Sequence, residues 1–396
     1  MLDVKQEAMA LQPDLVRWRR ELHRIPEVHT DLKRTSAYIC GVLEELGLEY
    51  RVFSNRSVKT VLHGTGEGPV LGLRADMDAL PVAEETGLPF AAENGNMHAC
   101  GHDAHTAMLL GVVKVLSQHR EAFRGSVVCL FQSAEETTGG ARDIIAEGCL
   151  EDPHVDRFFS LHIGSLFPGV ETGQFGVRKG PMMASVDSYY VRVHGVGGHG
   201  ARPHECVDPI VVMAEMITAL QTLVSREINP VHGAVVTVGL IKAGTIVNVI
   251  PSEGEFAGTI RTLDPADRAH ITGRIKELIP RIAQANRATA EVEVRSYYPP
   301  TVNDGAATDF LAACAAKVLG PGRVVEIPEP STGTEDVAYY LEAVPGSFGV
   351  LGSWKAHSDG VCYPHHNSKF QLDESVFWMG SAVFLQCALD FCGSNP

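Results

Sequence analysis

The stretch Met97-His-Ala-Cys-Gly-His-Asp-Ala-His105 gathers three histidines, one cysteine and one aspartate. Thiolate, imidazole and carboxylate are the protein ligands that zinc favours. Gly101, between Cys100 and His102, lets the backbone turn tightly enough to aim both side chains at one point. A Cys-x-His pair alone also describes a buried thiol beside a solvent-facing imidazole, so the case for a metal needs ligands from elsewhere.

Several are offered. Glu135 and Glu136 follow the apolar run Ser126–Gln132. Consecutive residues there point in different directions, so one can ligate a metal while the other faces the cavity as a base. The plainer alternative is a solvated surface pair. His162 closes another apolar run, where an isolated histidine is ordinarily a core residue. His365 and His366 are adjacent, and spacing does not say which of them would ligate. Asp76 and Asp78 stand at the end of the run Pro69–Asp76. A Gly-rich loop, residues 197–204, presents His199. It lacks the Gly-Lys-Ser/Thr of a phosphate loop and is otherwise a plain turn. Asn248 opens Asn-Val-Ile-Pro251. The forked donors of Arg261 suit a carboxylate, unless it is an ordinary surface arginine.

The elements that must position these residues are legible in part. Leu15, Trp18 and Leu22 recur at helical spacing, a second helix is expected over about 35–46, and Gly47 ends it. Three short apolar runs, 69–76, 126–132 and 157–161, read as buried parallel strands. Each delivers acidic or imidazole groups at its C-terminal end, where open α/β sheets bind ligands. Helices are expected between them, one over about 104–116 and one after Gly139-Gly140. From Ser185 the pattern changes to alternating strands, with Asp208-Pro209 and Asp264-Pro265 opening two helices. The order β-α-β-β-α-β is the split βαβ, ferredoxin-like unit. The reading is an α/β chain: a mixed, mostly parallel sheet domain of residues 1–183 and 297–396, interrupted by an inserted domain of residues 184–296. In the resumed domain helices are expected at about 308–319 and 334–341.

Composition narrows the class. At 396 residues the chain is long enough for two domains. With 33 Lys and Arg against 48 Asp and Glu, the net charge of −15 argues against nucleic acid and anionic membranes as partners. Nine cysteines, an odd number without framework spacing, suggest a reducing, cytoplasmic compartment. The N-terminus is not that of a secretory signal. The apolar C-terminal run over 376–389 is interrupted by Gly380, Ser381 and Gln386 and reads as a buried helix.

Taken together, Leu73–Pro81, Met97–Leu110, Ala134-Glu-Glu136, Gly198–His204 and Asn248–Pro251 resemble the M20 metallopeptidase family. The branch they resemble holds aminoacylases, hippurate hydrolases and auxin-conjugate amidohydrolases, and the resemblance runs from Trp18 to Glu374. It implies a zinc-exopeptidase-type catalytic domain with an inserted dimerisation or lid domain, and a two-metal site. By position, the implied ligands are Cys100, His102, Glu136, His162 and His366. Glu135 falls on the general base and Asp78 on a supporting acid. His199 falls on a histidine that reaches into the partner subunit's site, and Asn248 and Arg261 on positions that bind the substrate carboxylate. Pro364, His365 and Ser368 depart from the usual surroundings of the last ligand, and Ser133 replaces a proline. The implied activity is cleavage of N-acyl amino acids by a homodimer or higher oligomer. The implied cofactor is two divalent ions, zinc first, with manganese, cobalt or nickel as alternatives because geometry and supply decide occupancy. Two other readings stand beside it: a carboxypeptidase or dipeptidase, and a non-catalytic metal- or ligand-binding protein.

Overall fold

The computed structural model describes residues 2–137 and 139–393. These form two compact units. The first comprises Met1–Gly180, Val302–Glu329 and Asp336–Pro396, and the second Pro181–Thr301 and Pro330–Glu335.

The first unit is built on an eight-stranded mixed sheet. Its order is Tyr50–Val52, Val58–His63, Ser126–Gln132, Val70–Asp76, Arg157–Gly164, Gly346–Gly352, Phe175–Val177, Val324–Glu326. The four central strands run parallel: Leu73 lies opposite Cys129 on one side and Phe159 on the other, and His162 lies opposite Val350. Their apolar sequences follow from burial on both faces. Because they point the same way, Asp76, Glu135, Glu136 and His162 come to one edge of the sheet. Against the sheet packs the helix His102–Gln118, with the helices Gln12–His23 and Phe377–Phe391 around it. Leu109, Val112, Val113 and Leu116 are fully buried, so this helix is apolar all round. Its rigid packing fixes His102 at its first turn. Among the described residues no helix is long and apolar enough to cross a membrane.

The second unit holds a four-stranded antiparallel sheet, ordered Ala234–Ala243, Glu253–Thr262, Asp187–His194, Thr289–Ser296. Two helices, Pro209–Thr222 and Pro265–Ala285, cover one face and bury Val212, Met216, Leu220, Ile271, Ile275 and Ile279 against Tyr189, Val191, Val193 and Phe256. Both begin at Asp-Pro. Asp208 caps the N–H of Ile210, and Asp264 caps those of Ala266 and Asp267.

The structure departs from the sequence expectations in three places. The strand expected to close at Leu161 continues to Gly164, so His162 lies within it. The helix expected at about 334–341 is Ala338–Ala343, because residues 330–335 belong to the second unit, where Ser331 bridges to Met183. The central strand Gly346–Gly352 carries no clear signal: its three glycines give it low strand propensity, and only burial by its neighbours makes it one.

Candidate active site

The edge of the first sheet is assembled by short loops. Gly101 takes a left-handed conformation, φ 91°, which lets Cys100 and the helix start at His102 face the same space. Beyond the strand Ser126–Gln132, Ala134 is also left-handed, at φ 60°. A non-glycine residue held there costs about 1–2 kcal/mol. The Asp78 carboxylate offsets this by accepting the N–H groups of Glu135 and Glu136 at 3.1 and 3.0 Å. One buried acid thus sets the orientation of both glutamates.

The two glutamates then diverge. Glu136 faces His366 Nε2 at 3.2 Å and His102 Nε2 at 3.8 Å. Glu135 is buried and accepts the Asp336 N–H at 3.4 Å. Donor atoms of Cys100, His102 and Glu136 lie within 4.8 Å of one another, and so do those of Cys100, His162 and His365, so Cys100 is common to two clusters. Cys100 Sγ is 3.3 Å from His162 Nε2 and 3.7 Å from His365 Nδ1.

Backbone partners decide which nitrogen each histidine offers. His162 Nδ1 meets the Ile163 carbonyl at 2.8 Å, so it carries the proton and Nε2 presents a lone pair beside Cys100. His105 does the reverse. Its Nε2 accepts the Ile163 N–H at 2.8 Å, leaving Nδ1 to donate to Asp76. With both nitrogens engaged, His105 is a support and not a ligand.

The donor set fits a divalent cation. Both ring nitrogens of His102 are buried without a hydrogen-bond partner among the described residues; Nδ1 approaches Asp78 Oδ1 at 3.4 Å, outside hydrogen-bond geometry. Burial pushes the Cys100 thiol well above its ordinary pKa, and the carboxylates of Glu136 and Glu135 push it further. Burial works the other way on His102, but Asp76, Asp78 and Glu136 outweigh it and raise its pKa to about 10. The negative field that holds those protons is the field that draws a cation, whose binding would expel them.

Behind these residues lies a buried ionic network absent from the sequence reading. Arg74 donates to Asp76 at 2.8 Å, to Gln132 at 2.9 Å and to Asp336 at 2.7 Å. Asp336 also accepts from Gln132 and from the Ala141 N–H. The network ties the support of His105 to the residue whose N–H holds Glu135. Asp76 had a signal, its place at a strand end. Asp336 had none, being 262 residues from Arg74. Removing one partner of such a buried pair typically costs about 3–5 kcal/mol. Arg74→Met should lose about that much in chemical denaturation of the metal-free protein. A loss below about 1 kcal/mol would mean that the carboxylates are held without it.

The remaining sequence candidates, His199, Asn248 and Arg261, belong to the second unit. The short strand Gly198–His199 pairs with Val249–Ile250, and the Asn248 carbonyl accepts the Gly200 N–H, so His199 and Asn248 are neighbours and both exposed. His199 Nδ1 accepts the Ala201 N–H at 3.0 Å, which puts its proton on Nε2. Arg261 is half-buried near the other end of the strand Glu253–Thr262. Its backbone pairs with Val235, and its guanidinium makes no hydrogen bond or ion pair among the described residues.

A mixed α/β sheet carrying a thiol, imidazoles and paired glutamates at its parallel edge defines a metal-dependent hydrolase. The chain belongs to peptidase family M20/M25/M40, whose profile matches residues 72–390. That makes it a hydrolase of amide C–N bonds. It is 38% identical to the N-acetyl-L-cysteine deacetylase of Bacillus subtilis, over 100% of this chain and 93% of that protein. It is 36% identical to thermostable carboxypeptidase 1 of Saccharolobus solfataricus, over 98% of each. The solved structure of the YXEP protein of Bacillus subtilis, a dinuclear metal binding peptidase, matches with a TM-score of 0.82 at 34% identity, over 97% of this chain and 99% of that one.

Proposed function

We propose that this protein is a dimeric, two-metal amidohydrolase that cleaves N-acyl amino acids to a carboxylate and a free amino acid. The observation that carries the reading is the divergence of Glu135 and Glu136. Glu136 joins Cys100, His102 and His366, whereas Glu135 is held away from them by the Asp336 N–H. A site built only to bind metal has no use for the second carboxylate. Cys100, His102, Glu136, His162 and His366 would hold two divalent ions, zinc by first preference. The ions would supply Lewis acidity and lower the pKa of an attacking water.

Glu135 takes the water's proton as the carbonyl is attacked and passes it to the leaving nitrogen. Asp78 keeps both glutamates and His102 in place. His199, with its proton on Nε2, donates to the developing oxyanion. Arg261, an unpaired guanidinium, takes the substrate carboxylate together with Asn248.

The second unit supports a partner role for His199. Its joins to the rest of the chain lie by Thr262, whose carbonyl accepts the Ser185 N–H. His199 pairs beside Val249, beyond the other end of the strand Glu253–Thr262, whose ten residues span about 30 Å at strand rise. Arg261 and the His199–Asn248 pair can therefore serve one substrate if they come from different chains. The outer strand Ala234–Ala243 supports pairing as well. Among the described residues it is an edge strand without an outer partner, with exposed Val235, Leu240 and Ile241, next to exposed Ile246 and Val247. We place the enzyme in the cytoplasm, where its nine free cysteines stay reduced.

The carboxypeptidase relative sustains a second reading, which differs only in the acyl group: a peptide is also an N-acyl amino acid. Purified protein should release free amino acid from a panel of acetyl, benzoyl and indoleacetyl amino acids. A chelator should abolish this, and added zinc or manganese should restore it. Preference for N-blocked dipeptides would favour the carboxypeptidase, and chelator-insensitive or absent turnover on the whole panel would sink both readings.

A further inference from the structure

We propose that His365 is a positioning residue for the metal-binding thiolate: its Nδ1–H donates to Cys100 Sγ, and its neighbour His366 is the histidine that ligates. The inference rests on the reading of Cys100 as a ligand. It starts from a backbone contact. The Ser165 N–H donates to His365 Nε2 at 3.0 Å. A nitrogen that accepts a hydrogen bond carries no proton, so in the neutral ring the proton is on Nδ1. That atom is 3.7 Å from Cys100 Sγ. A protonated nitrogen has no lone pair for a metal, which removes His365 as a ligand and leaves it as a donor.

The ring has a built seat. Gly164, at φ 120°, lies against it, and a Cβ there would stand 2.4 Å from His365 Nε2. Phe370 packs on the ring at a centroid distance of 4.4 Å, and His162 meets it edge-on at 5.1 Å. His366 turns away through a left-handed backbone, φ 67°, toward Glu136. Two adjacent histidines thus serve one site in different ways. A hydrogen bond to a thiolate withdraws charge from the sulfur and fixes its direction, as supporting groups do around metal sites.

The test uses the full-length enzyme loaded with cobalt(II), whose thiolate-to-metal charge-transfer absorption reports on the sulfur. His365→Leu should keep the wild-type cobalt content at saturation and weaken cobalt affinity by roughly 10–100-fold. Its charge-transfer band should move to longer wavelength, because a sulfur without the hydrogen bond gives up charge more easily. His365→Gln, whose amide N–H can replace the donor, should bring the band back toward its wild-type position. An unmoved band in the leucine variant overturns the proposal. So does loss of one cobalt per chain, which would make His365 a ligand. The Cys100→Ser control separates the premise: it should abolish the band and weaken metal binding strongly, and a band that survives in it means that Cys100 is no ligand. Should the leucine variant not fold, nitrogen NMR of histidine-labelled wild-type enzyme decides between a protonated Nδ1, as expected, and a protonated Nε2, which overturns the assignment.

Discussion

Glu135→Gln should lose roughly 10²–10⁴ in kcat while retaining its full complement of metal, because only the proton transfer is removed. The residue is buried, and two of the contacts that place it are ones an amide disturbs little. Its own N–H is held by Asp78, and its Oε1 accepts the Asp336 N–H. A glutamine can keep that acceptor, so the fold and the position survive and the base does not. Glu136 stands 3.2 Å from His366 and shares a cluster with Cys100 and His102, so the corresponding change there should release metal. Metal content and rate must be measured on the same sample. If the Glu135 variant loses metal in step with activity, the two roles have been exchanged.

The second large effect concerns the assembly. On the proposed roles, His199→Ala should remove an oxyanion donor, a loss of roughly 10²–10³ in rate, and Glu135→Gln should remove the base. Each homodimer should be nearly inactive. Mixed after dissociation and reassociation, the two should recover up to about a quarter of wild-type activity, since random pairing in a two-fold dimer makes half the dimers mixed, each with one complete site. The structural ground is the length of the second unit: His199 lies beyond the end of the four-stranded sheet remote from the Ser185–Thr262 contact, by which the unit's first join lies, with an exposed apolar edge strand beside it. No recovery, despite heterodimers demonstrated by differential tagging, would place His199 in its own chain's site or outside the chemistry.

Side-chain chemistry and short-range pattern carried much of this molecule without coordinates. Apolar runs ending in acid or imidazole, at Asp76, Glu135 and His162, marked the parallel strands and their functional edge, since burial on both faces leaves a strand no other composition. The Asp-Pro starts and the alternation after Ser185 marked the second unit's elements, because helix caps and strand faces are local properties. Long-range partners lay beyond such reasoning. The strand Gly346–Gly352 is a strand only through its neighbours, and the Arg74–Asp336 pair joins residues with no shared local pattern. The roles of the histidines show the division most clearly. Their presence was plain in the sequence, but a ring nitrogen is a ligand, a donor or an acceptor according to which peptide group meets the other nitrogen. The carbonyl of Ile163 and the N–H groups of Ile163, Ser165 and Ala201 settle this for His162, His105, His365 and His199. Those peptide groups reach the rings only once the backbone has folded, so the tertiary structure decided what each histidine can do.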